Sequence, residues 1–338
     1  MILFSESAEI QTPVQKRIFV CVLHTVHLIQ RPIMTSTISS VPDQRAFFYL
    51  VGIGVMHSIA PPMHNCIARG LGYDWKFVAQ ECQTVEDALQ LFRLPTFAGG
   101  VVTMPYKTTI MEHLDGLDEY CMKIGACNNV YKTADGKLRG TNTDWRGIKG
   151  CLLDSTSQGK AKPALIIGAG GASRAAVYAL YDQLQCNPIY IVNRDEDEVK
   201  ALLGDTGSYG SDLSIVHLTS VEQAHEVPKA PFYIVGTVPD FEPRTRAELV
   251  SRDILEYFLK SGPKGVLLDM CFKPRRTRIL KLGERYGWNT VDGTMIIAHQ
   301  IDEQYKLWCG EEKARQIPKQ EAWAVLRKAA DESPSINF

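Results

Sequence analysis

The sequence has almost no net charge: 37 Lys and Arg stand against 38 Asp and Glu, a formal −1. Without a basic excess it lacks the electrostatic footprint of a nucleic-acid or membrane-surface binder. It also lacks paired cysteines. Nine are scattered with no C-x-x-C pair and no Cys/His cluster at zinc spacing, which argues against a disulfide framework or a metal centre and for reduced thiols in the cytoplasm. Long apolar runs are missing too. The best candidate, Ile18 to Ile29, spans about a dozen residues and is interrupted by His24 and His27, short of the roughly 20 that a membrane helix needs. Glu6 and Glu9 precede it, where a secretory signal would carry only positive charge; a mitochondrial presequence is the other option, against which these early acids count. Residues 1–43 therefore read as an extension, either a disordered arm or sequence ahead of a true start at Met34. No internal repeats are visible.

What is present is a globular composition. The chain has 338 residues, 45% hydrophobic and 22% charged, enough for two cores at about 150 residues per domain. From Ala46 onward, apolar runs alternate with helical spacing. Phe47 to Gly54 predicts a buried strand and turn, and Pro61-Pro62 opens a helix carrying Met63, Ile67 and Leu71 on one face. Strands at Trp75 to Ala79 and at Gly99 to Thr103 flank a helix from Val85 to Phe92. That alternation predicts an α/β fold.

A polar stretch from Ser155 to Lys162 reads as a linker. After it come Ala164-Leu165-Ile166-Ile167, the run G-A-G-G-A-S-R from Gly168 to Arg174, a helical segment from Ala175 to Leu184, and a second strand at Ile189 to Val192. Further strands are expected at Phe232 to Val235 and Gly265 to Leu268, with helix from Met295 to Leu326. Strand, glycine loop, helix and strand in one unit is the dinucleotide-binding pattern. Gly168, Gly170 and Gly171 permit a tight turn and close approach to a pyrophosphate, with Ala172 beside them, and the N–H groups of the following helix face the phosphates. Asn193-Arg194-Asp195 at the end of the second strand then bears on cofactor choice. Arg194 suits adenine stacking or a 2′-phosphate, whereas the acids Asp195 to Glu198 repel such a phosphate. Two unit charges at about 4 Å interact by roughly 1 kcal/mol in water and about 4 at an effective dielectric of 20. The balance favours NAD, with NADP as the other option; Glu196 and Asp197 also read as a solvated helix start.

Five motifs join the glycine loop in a fixed order. They are His57-Ser58-Ile59-Ala60-Pro61 with His64-Asn65, Val102-Thr103-Met104-Pro105-Tyr106-Lys107, Gly125-Ala126-Cys127-Asn128-Asn129, Gly140-Thr141-Asn142-Thr143-Asp144, and Gln300 with Trp308 eight residues on. Over about residues 45 to 312 this ordered set resembles the shikimate/quinate dehydrogenase family. The resemblance implies an α/β chain of two domains: an N-terminal α/β substrate-binding domain over 44–155, a Rossmann domain over 160–292, and C-terminal helices over 293–330 returning to the first. It implies reversible hydride transfer between NAD or NADP and the C3 hydroxyl of quinate or shikimate, without a metal. The partner would be a small cyclic polyol acid, with neither nucleic acid nor membrane involved, and the chain would be a monomer or homodimer.

Lys107 and Asp144 match the family's catalytic pair. Oxidising a secondary alcohol requires a group that takes the hydroxyl proton, and a lysine with an ordinary pKa of about 10.4 must be tuned to do so. Ser58, Thr103, Asn128 and Gln300 match substrate-binding positions, Ser58 addressing the carboxylate; Thr237 is retained in the cofactor loop. There are departures. Ala60 replaces a second hydroxyl donor to the carboxylate, a loss worth roughly 1.5–3 kcal/mol unless replaced, and makes room for the crowded C1 of quinate. Phe272 replaces a tyrosine and Asn129 a threonine. Glu198 stands where NADP-using members often carry a second arginine, and Val235-Gly236 departs from the usual residues before Thr237. Two alternatives remain at this point: a ligand sensor on the same fold without turnover, and a dehydrogenase for a modified shikimate such as an amino analogue.

Overall fold

The structure, a computed structural model, describes residues 45–338; the expectations for residues 1–43 fall outside them. The first sheet begins with β1 (Ala46–Gly52), followed by α1 (Ala60–Gly70) and β2 (Trp75–Glu81); α2 (Val85–Phe92) leads back to β3 (Phe97–Val102). Prolines in the first turn start α1, where a missing N–H costs nothing. Thr84 and Asp87 start α2 by a reciprocal capping box. β4 (Gly116–Leu117), α3 (Glu119–Ile124), β5 (Asn129–Lys132) and β6 (Leu138–Thr141) complete this half. The strand order is β2-β1-β3-β5-β6-β4, parallel through β3 and antiparallel across β5.

α4 (Asp144–Ser155) leads to a second sheet. Its elements are β7 (Ala164–Ile167), α5 (Gly171–Val177), β8 (Ile189–Val192), α6 (Glu196–Asp205), β9 (Ile215–His217), α7 (Val221–Glu226), β10 (Tyr233–Gly236), α8 (Arg246–Ser261), β11 (Val266–Asp269), α9 (Arg278–Arg285) and β12 (Asn289–Asp292). All its pairs are parallel, in the order β9-β8-β7-β10-β11-β12. This is the doubly wound arrangement; the order reverses between β7 and β10, where such sheets open a ligand crevice. The unbroken apolar run of β7 follows from burial on both faces. Ala164 and Ile166 join one core, whereas Leu165 and Ile167 join the other.

The chain then returns to the first half. α10 (Thr294–Cys309) and α12 (Lys319–Glu332), linked through α11 (Glu311–Ala314), bury Ile301, Tyr305 and Leu326 against Ile59, Met63 and Ile67.

Two helical stretches differ from expectation. Helix over Ala175 to Leu184 begins earlier, at Gly171, and from Tyr178 widens into a π turn in which Leu184 N–H reaches Ala179 O; one extra residue per turn is accommodated there. The stretch Met295 to Leu326 is broken at Gly310, which takes φ +82°, and at Pro318, which starts α12. Among the described residues no helix is long and apolar enough to cross a membrane.

Candidate active site

A cleft of about 1480 Å³ runs between the carboxyl ends of the two sheets. Its floor is a hydrogen-bonded group drawn from β5, the start of α4, and α10. Asn128, one residue before β5, donates both amide hydrogens: one to Asp144 Oδ1 at 2.8 Å and one to Gln300 Oε1 at 2.8 Å. Its own Oδ1 accepts the Thr143 backbone N–H at 2.6 Å, which fixes the orientation of the amide. Asp144, the first residue of α4, is 5% exposed, and its other oxygen pairs with Lys107 Nζ. The lysine follows β3 in a turn held by its own carbonyl, which accepts the Cys127 N–H at 2.7 Å. Charge and position are thus both determined: the Asp144 carboxylate faces the Lys107 amine.

Opposite lies the glycine loop. Gly168 takes φ +116°, and a Cβ there would meet Thr237 Oγ1 at 2.3 Å. The Thr237 hydroxyl donates to Ile167 O at 2.8 Å, so the Ser173 hydroxyl is the donor in their 2.7 Å contact. Beside Gly170 there is open space, and the first turn of α5 has no side-chain cap. Arg174 braces the loop from behind, donating to Ala169 O at 2.9 Å and pairing with Asp205 at 2.7 Å. A glycine-lined cradle whose outer face is open suits a dinucleotide's pyrophosphate, and these residues would hold it.

Of the residues singled out from sequence, Ser58, Thr103, Lys107, Asn128, Asp144, Gln300, Gly170, Gly171, Ala172 and Thr237 line this cleft. Gly168 shapes the turn from behind. Asn193, Arg194 and Asp195 do not line it: Asp195 caps α6 by accepting the Asp197 and Glu198 N–H groups, Asn193 binds Glu198, and Arg194 pairs with Glu248. Glu198 does line the cleft. Glu196 and Asp197 are exposed, as a solvated helix start requires.

At the substrate end, Ser58 Oγ accepts the Ala60 N–H at 3.3 Å, and Ala60 and Phe272 both face the cleft. The Asn129 side chain points the other way, fully buried, with neither amide atom bonded among the described residues. His64 also lines the cleft, its ring stacked on Phe77 at 4.1 Å. The Tyr305 hydroxyl gives its hydrogen to His64 O at 3.1 Å, so ring Nδ1–H is the donor to Tyr305 at 3.3 Å. Burial lowers the pKa of this ring to about 3; it stays neutral. Near the cofactor side, burial raises the Asp269 carboxyl to about 7.

Thr143 and Gln304 were not anticipated. The Thr143 hydroxyl contacts Gln300 Oε1 at 2.6 Å, and Gln304 Nε2 reaches both groups at 3.3 Å. Spacing of four places Gln300 and Gln304 on one helix face, a signal that a glutamine pair offers but a single motif position hides.

Comparison with known proteins agrees with this geometry. Residues 50–130 match the shikimate dehydrogenase substrate-binding domain. The chain is 35% identical over 294 residues to a quinate dehydrogenase of Emericella nidulans, covering 80% of this chain and 89% of the relative. Among solved structures, shikimate 5-dehydrogenase from Thermus thermophilus, in complex with NADP(H) and shikimate, superposes with a TM-score of 0.65 at 26% identity, covering 84% of this chain and 99% of that one. The enzyme from Listeria monocytogenes, in complex with shikimate and NAD, gives 0.67 at 27%, covering 83% and 96%. An ordered Lys107–Asp144–Asn128 floor, a glycine cradle facing it and an identity of this extent lead to one conclusion: the chain belongs to the shikimate/quinate dehydrogenase family of nicotinamide-dependent oxidoreductases.

Proposed function

We propose that this enzyme interconverts quinate or shikimate with the corresponding 3-dehydro acid, using Lys107 as the proton-transfer group and NAD as the preferred cofactor. The observation that carries the reading is the pairing of Lys107 with Asp144 on a floor whose amides, Asn128 and Gln300, are suited to ring hydroxyls. A bound nicotinamide supplies the hydride acceptor or donor. In the reductive direction the Lys107 ammonium, held by Asp144, gives its proton to the carbonyl oxygen as the adjacent carbon gains hydride. Oxidation is the reverse: the hydroxyl proton goes to neutral Lys107 as the C3 hydride leaves. Asn128 and Gln300 orient neighbouring hydroxyls, Thr103 and Ser58 add hydroxyl donors, and Ser58 takes the carboxylate. The methyl group of Ala60 leaves room beside Ser58 for the C1 hydroxyl of quinate.

Support for NAD comes from Glu198, whose carboxylate lines the cleft and is held by Asn193 at 2.9 Å. A negative charge there disfavours a 2′-phosphate. A cytoplasmic location accords with the eight described cysteines, all of them free. The test is a set of initial rates with quinate and shikimate, each against NAD and NADP. NAD-linked oxidation of either acid supports the reading; turnover with neither overturns it, as does a preference for NADP in its cofactor part.

A further inference from the structure

The cation that follows β8 is already engaged. Arg194 Nη1 donates to Glu248 Oε1, and Glu248 is no ordinary surface partner. It is the third residue of α8, where its other oxygen accepts the Arg244 and Thr245 N–H groups at 2.9 Å each while Thr245 caps the helix in return. These backbone donors, with Arg194, bring its carboxyl down to about 2, so it is ionised at every working pH. The carboxylate therefore has neither the freedom to swing away nor the option of taking up a proton. Arg194 is 54 positions distant in sequence, and nothing in either local motif announces the pair.

In doubly wound folds the end of the second strand distinguishes the two dinucleotides: an acid there binds the ribose hydroxyls, and an arginine accommodates the 2′-phosphate. We infer that Glu248 is a specificity-determining residue of this enzyme: by holding Arg194 in an ion pair anchored to the start of α8, it withholds that guanidinium from a 2′-phosphate. This rests on the reading that the glycine loop takes a nicotinamide dinucleotide. A 2′-phosphorylated cofactor must break the pair and then lie near the carboxylate it has freed. NAD, with a hydroxyl at that position, meets neither obstacle. Glu248 acts through Arg194 and is a positioning residue; Glu198, at the cleft itself, adds a second negative charge on the same side.

Glu248→Gln tests this cleanly, because glutamine also completes a capping box and keeps the start of α8 intact. Dissociation constants for NAD and NADP would be measured on the full chain by cofactor fluorescence. We expect E248Q to bind NADP about fivefold more tightly, the scale of an exposed ion pair, with NAD affinity within about twofold of wild type. The double variant R194A/E248Q should show no gain for NADP. A purely structural role would move both cofactors together. An unchanged NADP-to-NAD ratio in E248Q, or a gain that persists without Arg194, would overturn the inference while leaving dinucleotide binding in place; a wild-type protein binding neither cofactor would overturn both.

Discussion

Gly171 and Lys107 touch across the cleft: a Cβ on the glycine would lie 2.9 Å from the lysine's Cβ. The first helical residue after the glycine loop thus packs against the stem of Lys107. In the proposed reaction this contact would set the separation between nicotinamide and the substrate hydroxyl, because the glycine loop would hold the one and the Lys107 side of the cleft the other. Lys107 Cβ sits on the backbone and has little room to yield, unlike the end of a flexible side chain.

Gly171→Ala should therefore damage catalysis more than folding. Overpacking of this kind costs about 1–3 kcal/mol, and here it falls on the positioning of Lys107. Steady-state kinetics should show kcat/KM reduced about tenfold or more, with the melting temperature lowered by no more than a few degrees. Unchanged kinetics would mean that the two halves adjust freely.

Removing either amide of the floor should have distinct consequences. Gln300→Ala takes away an acceptor for Asn128 and Thr143 and a group facing the cleft, so KM for the cyclic acid should rise about tenfold. Asn128→Ala also strands the Thr143 N–H, and a buried donor without a partner costs about 1–3 kcal/mol. Its melting temperature should fall as well as its activity. Thermal unfolding alongside substrate titration separates the two outcomes.

His64 should make the protein acid-sensitive. The folded ring has a pKa near 3 and the unfolded ring near 6.5, so between these values the unfolded state binds the extra proton. This contribution to stability is complete above about pH 6.5 and declines as the pH falls toward 3. Asp269 acts oppositely over much of the same window: its folded pKa is about 7 against an ordinary value of 3.8, so its contribution is lost as pH rises. The measurement must therefore compare variants. His64→Gln should lose less stability than wild type between pH 8 and pH 5, read by denaturant unfolding; an equal loss would contradict the assignment of a neutral, buried ring.

Much of this fold was legible because its signals are local. The β7 run Ala164–Ile167 and the helix Val85–Phe92 lie where hydrophobic pattern and capping place them. The grouping of the floor residues was legible by motif: Asn128 precedes β5, Asp144 starts α4, and Lys107 lies in the turn after β3. What the sequence hid is long-range pairing. Arg194 reads as a group for adenine or a 2′-phosphate, and its partner Glu248 lies outside any local window; Asp195 also caps α6, a role its motif does not announce. Thr143 and Gln304 join the floor only because α10 returns to the first half, an outcome of tertiary packing that no window of sequence contains.

In the proposed reaction Lys107 moves the proton. This role is tested most directly by Lys107→Ala, measuring NAD-linked oxidation of quinate and shikimate together with the dissociation constant for NAD on the same samples. Loss of the amine should lower kcat by roughly 10²–10⁴, the usual contribution of a positioned acid or base, with NAD affinity within about threefold of wild type. A variant that binds NAD normally and retains more than about a tenth of wild-type kcat would contradict it.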